Sequence, residues 1–218
     1  TLLSPPHFHS DHPSGSPDTI LSPWVMGRTA PLQIYVPKGT AAMPEHITLA
    51  YAEDIAIRQQ GSEHLSPKGL RVNVHEISDE SVYQDSHVSI RAIPVRHGSW
   101  QQAFGYAIDA DGRRIVISGD TVPSTAIVDA CRECDVLLHE VYSAERFNMM
   151  FGQDNREYHP TFHTSTKELS EIAAKAKPKL LVLYHQLYFG PREQVDLVKE
   201  VRKGYAGTVV NGRDLGVY

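Results

Sequence analysis

The chain has 218 residues, of which 41% are hydrophobic and 22% charged, and its formal net charge is -5 at pH 7. This length suits one large domain or two small ones, and the composition is that of an ordinary globular protein. No run of about 18 apolar residues is present, which argues against a membrane-spanning helix, and the negative charge without a Lys/Arg run gives no overall attraction to nucleic acids.

The first feature along the chain is a cluster of histidines and an aspartate in the opening segment TLLSPPHFHSDH. His7 and His9 alternate, so in an extended segment both imidazoles point to the same side and can bind one ion. Asp11 and His12 follow where the chain turns and can reach a neighbouring ion. Imidazole and carboxylate suit Zn²⁺, and also Mn²⁺ or Fe. The alternative is a solvated histidine-rich loop, the weaker interpretation of this spacing.

Short β-rich runs and helical stretches follow. The predicted strands are Leu32–Val36, Arg71–Ile77, Val88–Val95, Ala103–Ile108, Arg113–Ser118 and Leu180–Tyr184. The stretch DADG, Asp109 to Gly112, predicts a hairpin turn. Helices are predicted from near Thr40, over STKELSEIAAKAK, where Ser165 and Glu168 form a capping box, and after Gly190-Pro191. Strands in hairpins, then interleaved with helices, indicate sheets covered by helices.

The two cysteines lie in the sequence CREC, as Cys131 and Cys134. One interpretation is a redox or metal-binding pair. The favoured one is core packing, because Ile127, Ala130, Cys131 and Cys134 have the spacing of one apolar helix face, where free cysteine packs as a small hydrophobe.

Three metal-capable side chains each follow a predicted strand. His97 follows VSIRAIPV, Asp120 follows RRIVIS and His185 follows LLVLY. Loops at strand ends are where rigid scaffolds place chemistry. A single histidine in such a place is more often a surface residue, but together with the opening cluster these residues make a set of seven candidate ligands.

On these residues the sequence resembles the metallo-β-lactamase superfamily of binuclear metallohydrolases, and within it the ribonuclease Z branch and its bacterial relatives. The matching stretches, in order, are HFHSDH, RHGSW, ISGDT, LLHEVY and FHTSTKELSEIAAKAKPKLLVLYH. The segment LSPWVMGRTAPLQIYVPKGT is also similar to that branch. The resemblance implies an α/β fold, a four-layer αββα sandwich, as a single hydrolase domain over residues 1–218.

The resemblance also implies a ligand set for two Zn²⁺ ions, with Mn²⁺ or Fe as alternatives. His7, His9 and His97 would bind the first ion. Asp11, His12 and His185 would bind the second. Asp120 would bridge both. A water or hydroxide between the ions would be the nucleophile, and Asp11 would accept or orient the proton of that water as well as bind metal.

Glu140 in HEV and His163 in FHTST match the pair that protonates the leaving oxygen in that branch. A carboxylate beside an imidazole raises the pKa of the imidazole and orients it, which suits a general acid. The alternative for Glu140 is a carboxylate that orients a metal-bound histidine. His139 is interpreted either as structural or as a residue that supports a metal ligand from behind, and His159 has no matching motif. Surface positions are expected for His46, His64, His75 and His87.

The sequence departs from the family at its start. Pro5 and Pro6 stand where the family has a threonine and an apolar residue before the first histidine, and proline restricts the backbone there. Several β-strands normally precede this motif, whereas only TLLSPP does here. We therefore expect upstream residues in the natural protein, and the compartment, cytoplasmic or exported, stays open.

The substrate is expected to be a small ester: a phosphodiester, sulfate ester, lactone or β-lactam. RNA 3′-end processing is the less favoured alternative, because a basic arm that would grip the RNA backbone is missing. A third alternative is a catalytically inactive metal-binding scaffold, and a homodimer is an open option. The stretch with Phe147, Met149, Met150, Phe151, Tyr158 and Phe162 either lines an apolar pocket or packs against the sheet.

Overall fold

The computed structural model describes residues 2–77, 81–150 and 158–218. By its internal contacts the chain divides into two compact units, Thr1–Ser78 and Asp79–Tyr218. Within the described residues, no helix combines the length and the apolar character needed to span a bilayer.

The described part of the first unit contains a three-stranded parallel sheet in the order β1-β2-β3. Its strands are β1 (Leu2–Leu3), β2 (Leu32–Val36) and β3 (Val72–Glu76). Its helices are α1 (Ser16–Val25), α2 (Met43–Ala50), α3 (Ala52–Gln60) and α4 (Pro67–Leu70). Alternate residues of β2 are buried and pack with Ile20 of α1, as the alternating pattern predicts.

The helix predicted from near Thr40 is two helices in the structure. Tyr51 leaves the helical backbone conformation, with φ -105° and ψ 18°, and separates α2 from α3. Both pieces keep the apolar spacing that gave the prediction, so periodicity alone did not reveal the break.

The second unit is built on a sheet of seven described strands in the order β10-β9-β8-β7-β6-β5-β4. The strands are β4 (Ser81–Gln84), β5 (Val88–Val95), β6 (Ala103–Ala110), β7 (Arg113–Ile117), β8 (Val136–Tyr142), β9 (Leu180–Leu187) and β10 (Val209–Asn211). Strands β4 to β7 pair antiparallel and β7 to β10 pair parallel. The predicted hairpin turn is confirmed, with positive φ at Asp111 and Gly112.

Helices cover this sheet and complete its core. They are α5 (Thr125–Cys131), α6 (Ala144–Met150), α7 (Tyr158–Phe162), α8 (Thr166–Ala176) and α9 (Leu197–Val201). Helix α8 begins with the predicted capping box between Ser165 and Glu168 and buries Leu169 and Ile172 against the core. The predicted α/β class, with sheets flanked by helices, is confirmed.

The prediction for the cysteines was right about burial and wrong about their state. Cys131 and Cys134 are both buried in the core of the second unit. They form a disulfide rather than two free thiols. Helix α5 ends at Cys131, and Arg132 and Glu133 turn the chain with positive φ, so Cys134 lies beyond the helix.

The helix predicted directly after Gly190-Pro191 was placed too early. Pro191 precedes a short 3-10 turn, Arg192–Gln194. The α-helix begins only at Leu197, because the Asp196 carboxylate accepts a hydrogen bond from the Lys199 N–H at 2.9 Å and caps it. Strands β1, β4, β8 and β10 were not among the predicted strands.

Candidate metal centre

The first unit brings together the four side chains of the opening cluster. His7 Nε2 lies 3.1 Å from His9 Nδ1, and the rings of His7 and His12 have centroids 4.2 Å apart. His12 Nε2 lies 3.7 Å from Asp11 Oδ2. His7 is fully buried, whereas 62% of the Asp11 side chain is exposed. The local convergence predicted from the spacing is therefore present in this unit.

The second unit brings together a separate set of imidazoles and carboxylates. The candidate ligand atoms of His97, Asp120 and His163 all lie within 4.8 Å of one another, and all three residues are buried. Those of Glu140, His163 and His185 form a second group within the same limit. Buried imidazole and carboxylate groups at this separation are a donor set that suits a divalent cation such as Zn²⁺.

The sheet order explains why these residues meet. His97 follows β5, Asp120 follows β7, and Glu140 lies near the end of β8. Strands β5 and β7 both pair antiparallel with β6 between them, and β8 pairs parallel with β7, so these three strands run in the same direction and end at the same edge of the sheet. His163 directly follows α7 and precedes α8. Its Nδ1 atom faces Glu140 and lies 3.4 Å from Glu140 Oε2. The predicted placement of His97 and Asp120 just after the ends of strands is thus confirmed.

The predicted position of His185, directly after a strand, was wrong in detail. Strand β9 continues to Leu187, and His185 is an inserted residue in its pairing with β8: Glu140 pairs with Tyr184 and Val141 with Gln186. Its φ is 44°. Such a bulge re-aims a side chain, and here His185 Nε2 lies 3.4 Å from Asp120 Oδ2.

A backbone carbonyl fixes the orientation of the His97 ring. His97 Nδ1 lies 2.7 Å from the Phe162 carbonyl oxygen, which accepts its hydrogen bond. With the proton on Nδ1, the lone pair of Nε2 is available to a metal ion. The Phe162 ring also contacts His97 edge-on, with centroids 5.0 Å apart. Sequence reasoning gave Phe162 only a pocket or packing role and missed this carbonyl.

Gly98 allows this arrangement, and replacing it tests its importance. A Cβ at Gly98 would lie 2.0 Å from the Phe162 ring, and the φ of Gly98 is +53°. We expect Gly98→Ala to destabilise the fold by about 1–3 kcal/mol through strain and overpacking. Urea unfolding measures this loss. Gly112→Ala is the matched control, because its φ is +72° with nothing within 4 Å; equal losses for the two variants would contradict the clash.

Glu140 is held in place by backbone donors. Its Oε1 accepts hydrogen bonds from the N–H groups of Thr164, at 2.9 Å, and Thr121, at 3.3 Å. Burial, with the nearby charge of Asp120, raises the pKa of Glu140 well above its usual value, and the two N–H groups oppose this rise. The contribution of Thr121 and Thr164 was missed from sequence; their positions beside Asp120 and His163 were the available signal.

The remaining histidines divide as predicted. His46, His64, His75 and His87 are exposed. His139 is fully buried, burial lowers its pKa to about 4, and its Nδ1 lies 2.7 Å from the Glu140 carbonyl oxygen. That contact agrees with a structural role.

The aromatic and methionine stretch is split between the two interpretations. Phe147 is buried and packs on Tyr142 and Phe189, with ring centroids 5.3 and 5.4 Å away. Met149 and Met150 are exposed. Phe151 lies outside the described residues. Packing therefore accounts for Phe147. The role of lining an apolar pocket stays a prediction for Phe162, which directly precedes His163.

Residues 6–186 match the family model described as the beta-lactamase superfamily domain. The chain belongs to this superfamily. It is similar to the ribonuclease Z of Mycobacterium marinum, at 30% identity over 82% of this chain and 64% of that protein. The ribonuclease Z of Mycobacterium bovis is 28% identical over 96% of this chain and 75% of its own length.

These relatives place the chain in the ribonuclease Z-like branch of a family of metal-dependent hydrolases. Solved structures agree on the fold. The metallo-beta-lactamase fold protein YhfI from Bacillus subtilis superposes with a TM-score of 0.68 at 17% identity, covering 97% of this chain and 75% of that one. The short form of human tRNase Z gives 0.61 at 19% identity, covering 97% and 76%. The chain spans less than two thirds of the Mycobacterium marinum relative.

Proposed function

We propose that this chain is a metal-dependent hydrolase of phosphodiester bonds and that it acts on a small organic diester. The observation that carries the proposal is the buried pair of proposed ligands His97 and Asp120 with the imidazole of His163, the proposed acid, beside them: the candidate atoms of all three lie within 4.8 Å of one another in a chain of this superfamily. A phosphodiester is the linkage of RNA, and the similar mycobacterial proteins are ribonucleases.

The proposed ligands are those implied by the resemblance, for two Zn²⁺ ions or for Mn²⁺ or Fe. His7, His9 and His97 are assigned to one ion, Asp11, His12 and His185 to the other, and Asp120 to both. A Zn²⁺ ion held there would lower the pKa of bound water to about 7 and withdraw charge from phosphoryl oxygens. Asp11, whose side chain is largely exposed, is assigned the further task of accepting a proton from the attacking water.

Glu140 and His163 are proposed to supply the proton to the leaving oxygen. The Nδ1 atom of His163 faces Glu140 Oε2 at 3.4 Å, so the carboxylate orients the ring and favours its protonated form. The Nε2 end is then the one that donates a proton to the departing oxygen. In the alternative for Glu140, the same contact with His163 Nδ1 would orient His163 as a metal-bound histidine.

The choice of a small diester rests on charge. The chain carries 21 Lys and Arg residues against 26 Asp and Glu residues, with no basic run to follow an RNA backbone. Processing of RNA 3′ ends is the second candidate, because the curated relatives are ribonucleases Z. The inactive scaffold is the third, and the retention of all the candidate ligands with Glu140 and His163 speaks against it.

A substrate panel with and without chelator tests the proposal. We expect bis(p-nitrophenyl) phosphate to be hydrolysed faster than a sulfate ester, a lactone, nitrocefin or a precursor tRNA, and chelation to abolish the reaction. Metal analysis of the same sample provides the count of bound ions. Cleavage of the tRNA alone would establish the second candidate instead, and no cleavage with two ions bound would establish the scaffold.

A further inference from the structure

A buried carboxylate outside the candidate centre connects the two segments that carry Glu140 and His163. Glu200 lies on α9 and is only 9% exposed. Its Oε1 accepts a hydrogen bond from Ser143 Oγ at 2.6 Å, and its Oε2 accepts one from Thr166 Oγ1 at 2.6 Å. The N–H of Glu145 lies 3.4 Å from the same Oε2. A buried carboxylate with this many donors is satisfied and held rigidly.

The two hydroxyl groups lie at equivalent distances along the chain from the proposed acid pair. Ser143 comes three residues after Glu140, where β8 ends, and Thr166 comes three residues after His163, where α8 begins. Each hydroxyl donates to Glu200 and accepts from the backbone: Ser143 Oγ from Arg146 N–H at 3.1 Å and Thr166 Oγ1 from Ala144 N–H at 3.2 Å. Glu200 therefore sets the spacing between the end of β8 and the start of α8.

Backbone hydrogen bonds carry that spacing to the acid pair itself. The N–H of Tyr142 donates to the Thr164 carbonyl at 3.0 Å, and the N–H of Thr164 donates to Glu140 Oε1 at 2.9 Å. A shift of α8 relative to β8 would therefore move His163 against Glu140. Misplacement of a catalytic group by about 1 Å can cost about 10²-fold in rate.

We infer that Glu200 is a positioning residue for the Glu140–His163 pair, acting through Ser143 and Thr166. The inference rests on the acid role of His163 proposed above. A carboxylate is the group that fits, because both of its oxygens can accept from a hydroxyl at the same time. A glutamine would offer one accepting oxygen and turn an N–H₂ group towards the other hydroxyl, so that hydroxyl would lose the acceptor of its proton and the hydrogen bond would have to reverse its direction.

The test uses the variants Glu200→Gln and Glu200→Ala in the metal-loaded protein. The matched control is Val201→Ala, because Val201 is the next residue of α9, is fully buried and packs in the core. The kcat values are measured for a series of methyl aryl phosphodiesters whose leaving phenols differ in pKa. We expect both Glu200 variants to lower kcat for the poorest leaving group about tenfold more than for the best, as a weakened acid would.

Val201→Ala is expected to lower the melting temperature while reducing the kcat values of the series by one common factor. A second readout is the ring ¹H–¹⁵N signal of His163, which should shift in Glu200→Gln and stay in place in Val201→Ala. If Glu200→Ala does not fold, Glu200→Gln and Ser143→Ala carry the same comparison.

Parallel losses across the series in the Glu200 variants, with an unmoved His163 signal, would overturn the inference. The proposed function fails in a different way: the unmodified protein would hydrolyse no diester, or His163→Ala would leave the leaving-group dependence unchanged. In that case the His163 signal still decides whether Glu200 positions the ring.

Discussion

Replacement of Asp120 by alanine is expected to remove bound metal from the protein and to lower turnover to the background rate. The Asp120 side chain is buried, its Oδ2 lies 3.4 Å from His185 Nε2, and its ligand atom lies within 4.8 Å of those of His97 and His163. A carboxylate among imidazoles from different strands is the group most able to be shared by two ions. Loss of a residue that only hydrogen-bonds to a metal ligand lowers metal affinity by about 10–100-fold. Loss of Asp120, a proposed ligand, should lower metal affinity by more than that.

Native mass spectrometry counts the bound ions, and thermal unfolding with and without chelator supplies a second measure. Metal that binds only the folded state stabilises it, so chelation should lower the melting temperature of the unmodified protein and leave that of Asp120→Ala unchanged. Asp135→Asn is the matched control, because Asp135 pairs with Lys179 at 2.7 Å and is not a proposed ligand. Retention of two ions by Asp120→Ala would refute the bridging role.

The parts of the fold that sequence reasoning recovered are those encoded locally. Strands β2 and β5 show their pattern within a few residues, and the capping box of α8 needs only Ser165 and Glu168. The opening histidine cluster is likewise a matter of near neighbours in the chain, so its spacing was sufficient to predict its convergence. For the same reason His97 and Asp120 could be placed at strand ends before the sheet was known.

The features that were missed depend on partners far away in the sequence. The bulge at His185 exists only in the pairing of β9 with β8, and strand patterns do not encode register at that level. The hydrogen bonds of Glu200 reach residues 57 and 34 positions away. The end of α5 at Cys131 is set by a turn with positive φ, whereas helical periodicity continued through it to Cys134. Each of these features depends on tertiary packing. In some cases the packing overrode a local sequence pattern, and in others there was no local pattern to read.

Replacement of His163 by alanine is expected to leave the metal content intact and to lower kcat by about 10²- to 10⁴-fold for diesters with poor leaving groups. Phenolate leaving groups of low pKa need little protonation, so their rates should fall much less. The ring is nearly buried, faces Glu140 and stacks on His185 with centroids 5.6 Å apart. Its place beside the candidate ligands is where an acid could reach a departing oxygen.

The decisive measurement is the slope of log kcat against the pKa of the leaving phenol, determined together with metal content. The slope should be steeper for His163→Ala than for the unmodified protein. His159→Ala is the matched control, since it removes a half-buried imidazole whose centroid lies 5.9 Å from that of His163, and it is expected to leave the slope unchanged. An equal loss for good and poor leaving groups in His163→Ala would mean that this ring binds or orients the substrate without donating the proton.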